Sequence, residues 1–298
     1  MDAGQLFRAR DKKILAIVNS SEENIFQIKD NKYSSSAKKL LIFISGILFV
    51  IFIWYLVAGI YNAFFSVSVN FPDPATTFER LWKFLSTNYK ILGASIYTHL
   101  TASLGRWFQG FLTAFAIGMV LGTVLGSNER LYQFGIVPVN VLQLIPGLAW
   151  YPVTILLFGF GEDSAIFIIA ITAISPIAIN IANGFRRVPK VNMRVARMSG
   201  RSRLETFTEV LIPFSALDIL AGLRIGMANG WRMLITAEMI VGVAVGLGYA
   251  IQTTTAYLDY PAAFASIVLI CVIGLLIDKV ILAPMESYVR RKVGAEGA

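Results

Sequence analysis

The sequence predicts an all-α polytopic membrane protein with about six transmembrane helices. Of its 298 residues, 56% are hydrophobic and only 15% are charged, and the mean hydropathy is +0.67. Soluble domains carry about 25% charged residues, so a soluble fold of this length could not cover so much apolar surface. Several apolar stretches are also long enough to cross a bilayer. Together these observations exclude an ordinary soluble enzyme.

Six spans are predicted along the chain, at 40–61, 103–126, 131–158, 164–184, 221–243 and 261–283. The third is interrupted by Pro138, Pro146 and Pro152, which indicates an irregular or kinked helix. The second contains Arg106, the fourth contains Pro176, and the fifth contains Arg224, Arg232 and Glu238. Each stretch is otherwise apolar enough for one crossing.

Six spans place both termini on one side of the membrane. Twenty Lys and Arg residues fall in segments on that side, against three on the opposite side. Since positive charge is retained in the cytoplasm, we expect a multi-pass inner (plasma) membrane protein with both termini cytoplasmic. The predicted organisation is a cytoplasmic segment 1–37, a transmembrane domain 38–286 with an external segment 66–100 and a cytoplasmic loop 185–213, and a cytoplasmic tail 287–298.

The external segment is too long for a tight turn. Its apolar positions recur at helical spacing: Phe78, Leu81, Trp82 and Leu85. We therefore expect a short amphipathic helix that is capped by Thr76 or Thr77 and anchored by Trp82 at the membrane interface. A packed loop with no separate role is the alternative.

The loop 185–213 is the longest internal loop and contains seven basic residues. Its apolar positions recur at three- and four-residue steps, which predicts two short helices joined near Gly200 and Ser202. Gly200 is expected to let the helices approach closely, and Pro213 is expected to start the next span. A solvated basic loop without further role is the alternative.

The spacing inside this loop resembles the signature of importer-type ABC transporter permeases, E-A-A-x3-G-x9-I-x-L-P. The register here is Arg194-Val195-Ala196, three residues, Gly200, nine residues, then Val210-Leu211-Ile212-Pro213. The second alanine, the glycine, the aliphatic position and the proline match. Arg194 stands where the signature has an acidic residue, Val195 where it has the first alanine, and Ile212 where it has leucine.

Further segments resemble the nitrate/sulfonate/taurine/bicarbonate branch of these permeases, over about 71–286. They are 71–74, 103–110, 144–152, 158–162, 222–224, 230–239 and 246–249. The resemblance implies a type I ABC importer permease fold that carries a small anion and forms the translocation path as a dimer. It also implies two cytoplasmic ATP-binding subunits, an extracytoplasmic solute-binding protein and the lipid bilayer as partners, and no nucleic acid.

By the same resemblance, one set of residues couples the chain to its ATPase partners: Arg194, Val195, Ala196, Gly200, Arg201, Ser202, Val210, Ile212 and Pro213. No cofactor is expected on this chain, because ATP and Mg would bind to the partner subunits. The sequence has no G-x4-G-K-[ST] motif and only one His and one Cys, so we do not expect an enzyme.

Polar residues inside the spans are candidates for the translocation path. Gln143 and Trp150 bracket the Pro146 break and would face one side of a regular helix. Asn229, Arg232 and Thr236 share a helical face, which suits a small anion. Glu238, a carboxylate deep in the same span but on another face, is included among the path candidates. The alternative is that Arg232 pairs structurally with Glu238 or Glu162.

Two other groups of residues are interpreted as structural. Gly118, Gly122 and Gly126 are expected to allow close helix packing. Arg106 and Arg224 are interpreted as interfacial or structural. The alternative function for the whole chain is an ATP-independent secondary transporter or channel for a small anion.

Overall fold

The computed structural model describes residue 38 and residues 41–65, 70–87 and 89–292. The predicted N-terminal segment 1–37 therefore lies outside the described residues. The chain divides into two compact units, the first ending at Pro74 and the second beginning at Ala75.

The first unit contains one long apolar helix, α1 (Leu41–Phe64). Its C-terminal half is hydrogen-bonded to the chain that follows. The side chain of Asn62 makes two hydrogen bonds to the backbone of Phe71: it donates to the carbonyl at 3.0 Å and accepts from the N–H at 2.7 Å. Trp54 Nε1 donates to the carbonyl of Pro72 at 2.9 Å. These bonds satisfy backbone groups that the proline-rich segment 72–74 leaves without helical partners.

The second unit is built from helices and one short hairpin. Helix α2 (Pro74–Ser86) leads to strands β1 (Lys90–Ile91) and β2 (Ala94–Ser95), which pair antiparallel with Lys90 opposite Ser95. The remaining helices are α3 (Ile96–Ser127), α4 (Glu129–Leu144), α5 (Gly147–Phe158), α6 (Glu162–Arg187), α7 (Lys190–Met198), α8 (Arg203–Phe214), α9 (Ala216–Ile240), α10 (Leu247–Ala256) and α11 (Tyr260–Lys292).

The helices account for up to six membrane crossings. Among the described residues, α1, α3, α6 and α11 are each long and apolar enough to span a bilayer. Two further crossings involve bent helix pairs: α4 and α5 meet at 98°, and the short α8 meets the long α9 at 68°. The predicted irregular third span is thus a broken helix, because Pro146 follows the end of α4 and cannot continue it.

Helix α6 lies at the centre of the second unit and packs along α3 through glycines. A Cβ atom added at Gly110 would lie 2.7 Å from the Cβ of Ile169. One added at Gly118 would lie 2.9 Å from the Cβ of Ile177, and one at Gly122 would lie 2.7 Å from that of Ile181. Residue numbers rise together along both helices in this series, so α3 and α6 run parallel. The chain between them must therefore recross, which supports reading α4 and α5 as one span.

Helix α9 also packs on α6 through glycines, and it meets some of the same isoleucines that α3 contacts. A Cβ at Gly222 would meet Asn180, one at Gly226 would meet Ile177, and one at Gly230 would meet Ile169. Along this contact the residue numbers of α9 rise while those of α6 fall, so α9 is antiparallel to α6. The glycines of α3 have the close-packing role that the sequence predicts, and the glycines of α9 have the same role.

Helix α11 packs along α9. Asp278 and Glu286 of α11 pair with Arg224 of α9 at 2.7 Å and 2.6 Å, and a Cβ at Gly274 would lie 2.9 Å from the indole nitrogen of Trp231. These two helices are therefore antiparallel as well, as consecutive spans must be. Arg224 has a structural role, in line with its interpretation from the sequence.

Some predicted boundaries are wrong by a few residues. Helix α2 begins at Pro74, so Thr77 is not a cap but a fully buried residue inside the helix, while Trp82 is 70% exposed. Helix α9 ends at Ile240 because Gly242 adopts a left-handed backbone with φ of 74°. Helix α11 continues to Lys292, past the start of the predicted tail at 287.

The glycine packing predicts a specific cost for larger side chains in α3. Replacing Gly122 by Val should lower the free energy of unfolding by about 1–3 kcal/mol, because a Cβ there would lie 2.7 Å from Ile181 and 2.8 Å from the carbonyl oxygen of Ala178. Gly105→Val on the same helix is the matched control, since nothing lies within 4 Å of a Cβ at Gly105. Thermal unfolding of the purified chain measures both, and equal melting temperatures would contradict the prediction.

Candidate functional site

The loop between α6 and α9 folds into two helices, as the sequence predicts. Helix α7 ends at Met198, and Gly200 adopts a left-handed backbone with φ of 78°. The Gly200 N–H bonds the carbonyl of Arg197 at 3.1 Å and the Arg201 N–H bonds the carbonyl of Ala196 at 3.2 Å. This Schellman arrangement ends the helix and turns the chain.

The reason for glycine at position 200 differs from the one expected. Nothing lies within 4 Å of a Cβ built there, so close packing does not require glycine. The left-handed backbone does, since a Cβ is disfavoured in that conformation. Gly200 thus fixes the direction in which α8 leaves α7.

Helix α8 begins with a capping box. The Glu205 N–H donates to Ser202 Oγ at 3.2 Å, and the Ser202 N–H donates to Glu205 Oε2 at 2.7 Å. The backbone N–H of Ser202 lowers the pKa of the Glu205 carboxyl, because it stabilises the ionised form. Arg201 forms an ion pair with Glu209 one turn further along. The junction between α7 and α8 is therefore held by side chains on both sides.

Helix α7 presents three distinct faces. Ala196 is buried against the rest of the protein, and Met198 is 87% exposed. Val191, Val195 and Met198, at steps of four and three residues, form an exposed apolar stripe, and Leu204 on α8 is exposed beside the turn. The basic residues of α7 lie on a third face, since they recur at 190, 194 and 197.

The last part of the predicted signature lies within α8. Val210 is half-buried, while Ile212 and Pro213 are exposed. Pro213 does not start the next span, because α8 continues to Phe214 and the bend falls at the buried Ser215. A π-helical turn over Phe207–Leu211 precedes the proline. A wider turn accommodates the missing N–H and the bulk of the ring, so the helix continues past it.

The candidate path residues are not all brought together. Gln143 is exposed near the end of α4, and Trp150 is half-buried at the start of α5. The break between these helices means that the two residues do not share one helical face, so that expectation is wrong. The start of α5 does approach α9, because a Cβ at Gly147 would lie 2.2 Å from the sulfur of Met233.

Asn229, Arg232 and Thr236 lie along one face of α9, as helical periodicity predicts. Arg232 Nη2 donates to Asn229 Oδ1 at 2.7 Å, and Arg232 Nε donates to the carbonyl of Ala228 at 3.2 Å. Thr236 Oγ1 lies 3.5 Å from the carbonyl of Arg232. Arg232 is exposed, and among the described residues no carboxylate pairs with it. Pairing of Arg232 with Glu238 or Glu162 is therefore ruled out in this conformation.

Glu238 pairs instead with Arg106 of α3. Arg106 Nη1 lies 2.7 Å from Glu238 Oε1, and their side chains are 3% and 0% exposed. The carboxylate also accepts from Ser103 Oγ at 2.8 Å and from the Gly248 N–H at 2.9 Å. Arg106 Nη2 reaches Glu162 at 2.9 Å, whose side chain is 68% exposed. We call these residues the Arg106–Glu238 cluster; the placement of Glu238 gives no support to a path role.

This cluster holds the chain that follows α9. The Leu247 N–H donates to Ser103 Oγ at 2.8 Å, and the Gly246 N–H donates to His99 Nδ1 at 3.0 Å. His99 Nε2 lies 3.2 Å from the carbonyl of Ile91, so the imidazole connects the hairpin to Gly246. Side chains of α3 therefore fix the loop between α9 and α10.

Glycines allow the loop between α9 and α10 to approach the Glu238 carboxylate and the backbone of α9. A Cβ at Gly246 would lie 2.6 Å from the Glu238 carboxylate, and one at Gly248 would lie 2.3 Å from the carbonyl oxygen of Ile235. No larger residue fits at either position without displacing the carboxylate or the backbone.

Sequence reasoning missed the cluster, although a signal was present. His99, Ser103 and Arg106 follow one another at steps of four and three residues, which places them on one face of α3. Three polar side chains on one face of an apolar helix predict a polar partner. Their partners, Glu238 and Gly246, are more than 130 residues away in sequence, so the pairing could not be deduced from spacing.

Comparison with known proteins agrees with this architecture. The nitrate import permease protein NrtB of Synechocystis sp. is 34% identical over 228 residues, which cover 74% of this chain and 80% of that protein. The bicarbonate transport system permease protein CmpB of Synechococcus elongatus is 30% identical over 269 residues, covering 88% and 94%. A structure of the MetNI methionine ABC transporter in an inward-facing conformation matches the fold with a TM-score of 0.53, at 21% identity, over 66% of this chain and 94% of that one.

The membrane-crossing helices have the type I importer fold. A family model described as "Binding-protein-dependent transport system inner membrane component" matches residues 114–284. The chain belongs to this family, and the resemblance to its nitrate/sulfonate/taurine/bicarbonate branch is confirmed. Its relatives are permease subunits rather than enzymes, and the chain is an inner membrane protein.

The Arg106–Glu238 cluster predicts unequal effects for its two carboxylates. Glu238→Gln should lower the free energy of unfolding by about 3 kcal/mol, because it leaves the buried Arg106 without its nearest compensating charge. Glu162→Gln removes the other partner of the same guanidinium, but that carboxylate is largely exposed and its loss should have little effect. Thermal unfolding of the two variants beside the unsubstituted chain makes the comparison. Equal destabilisation by both substitutions would disprove the assignment.

Proposed function

We propose that this chain is the membrane-spanning permease subunit of an ATP-driven, binding-protein-dependent importer for a small anion. Two copies form the translocation path. Each copy contacts one cytoplasmic ATP-binding subunit through the α7–α8 loop, and an extracytoplasmic solute-binding protein docks on the opposite side. ATP and Mg bind to the ATP-binding subunits. Family membership favours this function over an ATP-independent transporter or channel.

The observation that carries the proposal is the apolar stripe on α7. Val191, Val195 and Met198 are all more than half exposed, and the other exposed residues of α7 are Lys190, Arg194 and Arg197. Apolar side chains grouped in this way mark a surface for a protein partner. Ala196 anchors the opposite side of the helix, so α7 can bear force against the rest of the chain.

The connection from this surface into the membrane is short and rigid. Helix α8 continues from the capped turn to Phe214, and α9 begins two residues later. Around the bend, a Cβ at Gly184 of α6 would lie 3.1 Å from Ser215 and 2.7 Å from Asp218. A displacement of α7 is therefore transmitted directly to α9, which carries Arg232. Rigid-body movement of such elements is how conformational change passes between subunits.

The exposed face of α9 supports a path formed between two copies. A guanidinium that faces lipid costs about 2.5–3.5 kcal/mol, so Arg232 must be covered by water or by protein. Large apolar residues of α4 and α5 are also exposed in the single chain, among them Phe134, Leu144 and Leu156. A second copy that covers this side would enclose Arg232 beside an aqueous path.

The charge of Arg232 supports an anionic substrate. NrtB is named for nitrate and CmpB for bicarbonate, and both are small anions. Orientation with the α7–α8 loop in the cytoplasm is supported by the excess of basic residues on the side of both termini.

The apolar stripe predicts that a charge placed on it blocks assembly. Met198→Asp should reduce capture of the ATP-binding subunit at least tenfold, because a carboxylate would have to be desolvated in the interface. Thr208→Asp introduces the same charge at an exposed position of α8 outside the stripe and should leave capture unchanged. Co-purification of the ATP-binding subunit with each variant measures the effect. Equal capture would argue against the stripe as the contact.

A second substitution tests the path. Arg232→Gln should lower anion uptake at least severalfold while the melting temperature stays unchanged, because Arg232 makes only local bonds within α9. Arg232→Lys keeps the charge and should retain most of the uptake. Transport in reconstituted vesicles, beside a thermal melt of the same samples, separates a path role from a structural one. Full uptake by the Gln variant would eliminate Arg232 from the path.

A further inference from the structure

A cavity of about 960 Å³ lies beside the α7–α8 loop. Its walls come from the last turn of α3, the first turn of α4, the end of α6 and the two loop helices. It is separate from the exposed stripe of α7, because the lining residues of that helix are Lys190, Met193, Arg194 and Arg197. We call this space the basic cavity.

The lining of the basic cavity is strongly positive. It contains one acidic residue, Glu129, and six basic residues: Arg186, Lys190, Arg194, Arg197, Arg201 and Arg203. Glu129 forms an ion pair with Arg186 at 3.0 Å, and Arg201 forms one with Glu209. For the other four, no carboxylate of the described residues lies within 4.0 Å. These four side chains are exposed, and together they give the cavity an excess of positive charge that a bound anion would offset.

The geometry of these cations suits a phosphate. Lys190, Arg194 and Arg197 recur at steps of four and three residues, which aligns them along one face of α7. Arg203 at the start of α8 approaches the same space from beyond the turn. Guanidinium groups bind phosphate oxygens through paired N–H donors, and several of them together surround one phosphate.

The position of the cavity indicates where the phosphate comes from. Helices α3 and α6 cross the bilayer, and the cavity lies at their ends, Gly126 and Ser127 on one and Phe185 and Arg186 on the other. Helix ends of this kind lie at the depth of lipid headgroups, and basic pockets between transmembrane helices bind anionic headgroups. Apolar residues also line the cavity, among them Val188 and Leu211, and they would contact the glycerol and the first acyl carbons.

From these observations we infer that the basic cavity binds the headgroup of an anionic phospholipid. A lipid bound there would lie between the fixed ends of α3 and α6 and the movable α7–α8 loop, and so would set the resting position of that loop. The inference does not depend on coupling to an ATPase, because it uses only the cavity and the membrane-crossing helices.

The test is lipid retention by the purified full chain, measured by native mass spectrometry after exchange into detergent with either phosphatidylglycerol or phosphatidylcholine. The unsubstituted chain should retain phosphatidylglycerol in preference. Arg197→Gln combined with Arg203→Gln should weaken that retention about 25-fold, which corresponds to roughly fivefold for each charge removed. The combination Arg130→Gln with Arg290→Gln is the matched control, since it removes the same charge from exposed positions outside the cavity.

Two further variants separate charge from folding. Arg197→Lys with Arg203→Lys keeps the charge and should retain phosphatidylglycerol, while Lys190→Gln with Arg194→Gln should lose it as the first pair does. Equal retention of both lipids by the unsubstituted chain, or unchanged retention by both Gln pairs, would overturn the inference. So would protection against thermal unfolding by inorganic phosphate alone, without lipid, which would show a free-anion site. Loss of ATP-binding-subunit capture with unchanged lipid retention would show a protein contact instead and would also overturn it.

Discussion

Close approach of backbones around α6 is the constraint on which the rest of the second unit depends. Helices gain little from the hydrophobic effect when lipid is the surrounding solvent, so they associate through packing at short distance. Glycines of α3 and glycines of α9 both meet α6, and two of its isoleucines, Ile169 and Ile177, face glycines of both helices. This arrangement fixes both the register and the direction of three helices. The parallel run of α3 and α6 in turn makes the broken pair α4 and α5 a crossing.

Ionic groups inside this framework have two different roles. Arg106 and Glu238 are buried together, and Ser103 and the Glu238 carboxylate both accept hydrogen bonds from the backbone at the start of α10. Arg232 lies only six positions before Glu238 on the same helix, yet it faces outward and bonds only within α9. Within two turns of α9, Glu238 thus stabilises the chain, whereas Arg232 is available to a ligand or to a second copy.

The α7–α8 loop unites a rigid turn with two surfaces of different chemistry. The left-handed Gly200 and the capping box of Ser202 and Glu205 set the angle between its helices. On one surface, the apolar stripe of α7 suits a protein partner; on another, basic side chains enclose a cavity at the membrane boundary. Helix α8 passes into α9 through a single bend, so both surfaces lie a short stretch of chain away from the helix that carries Arg232.

The sequence by itself determined the class of the protein, the approximate spans and the two-helix loop. These follow from composition, from periodicity and from turn residues, which are local properties. The tertiary structure alone decided which charges pair, where α9 begins, and that Gln143 and Trp150 lie on separate helices. From the sequence, pairing of Arg232 with Glu238 or Glu162 was the alternative to a path role, whereas both carboxylates pair with Arg106 of α3. Such pairing depends on helix register and on the depth at which distant segments meet, and local spacing carries no information about either.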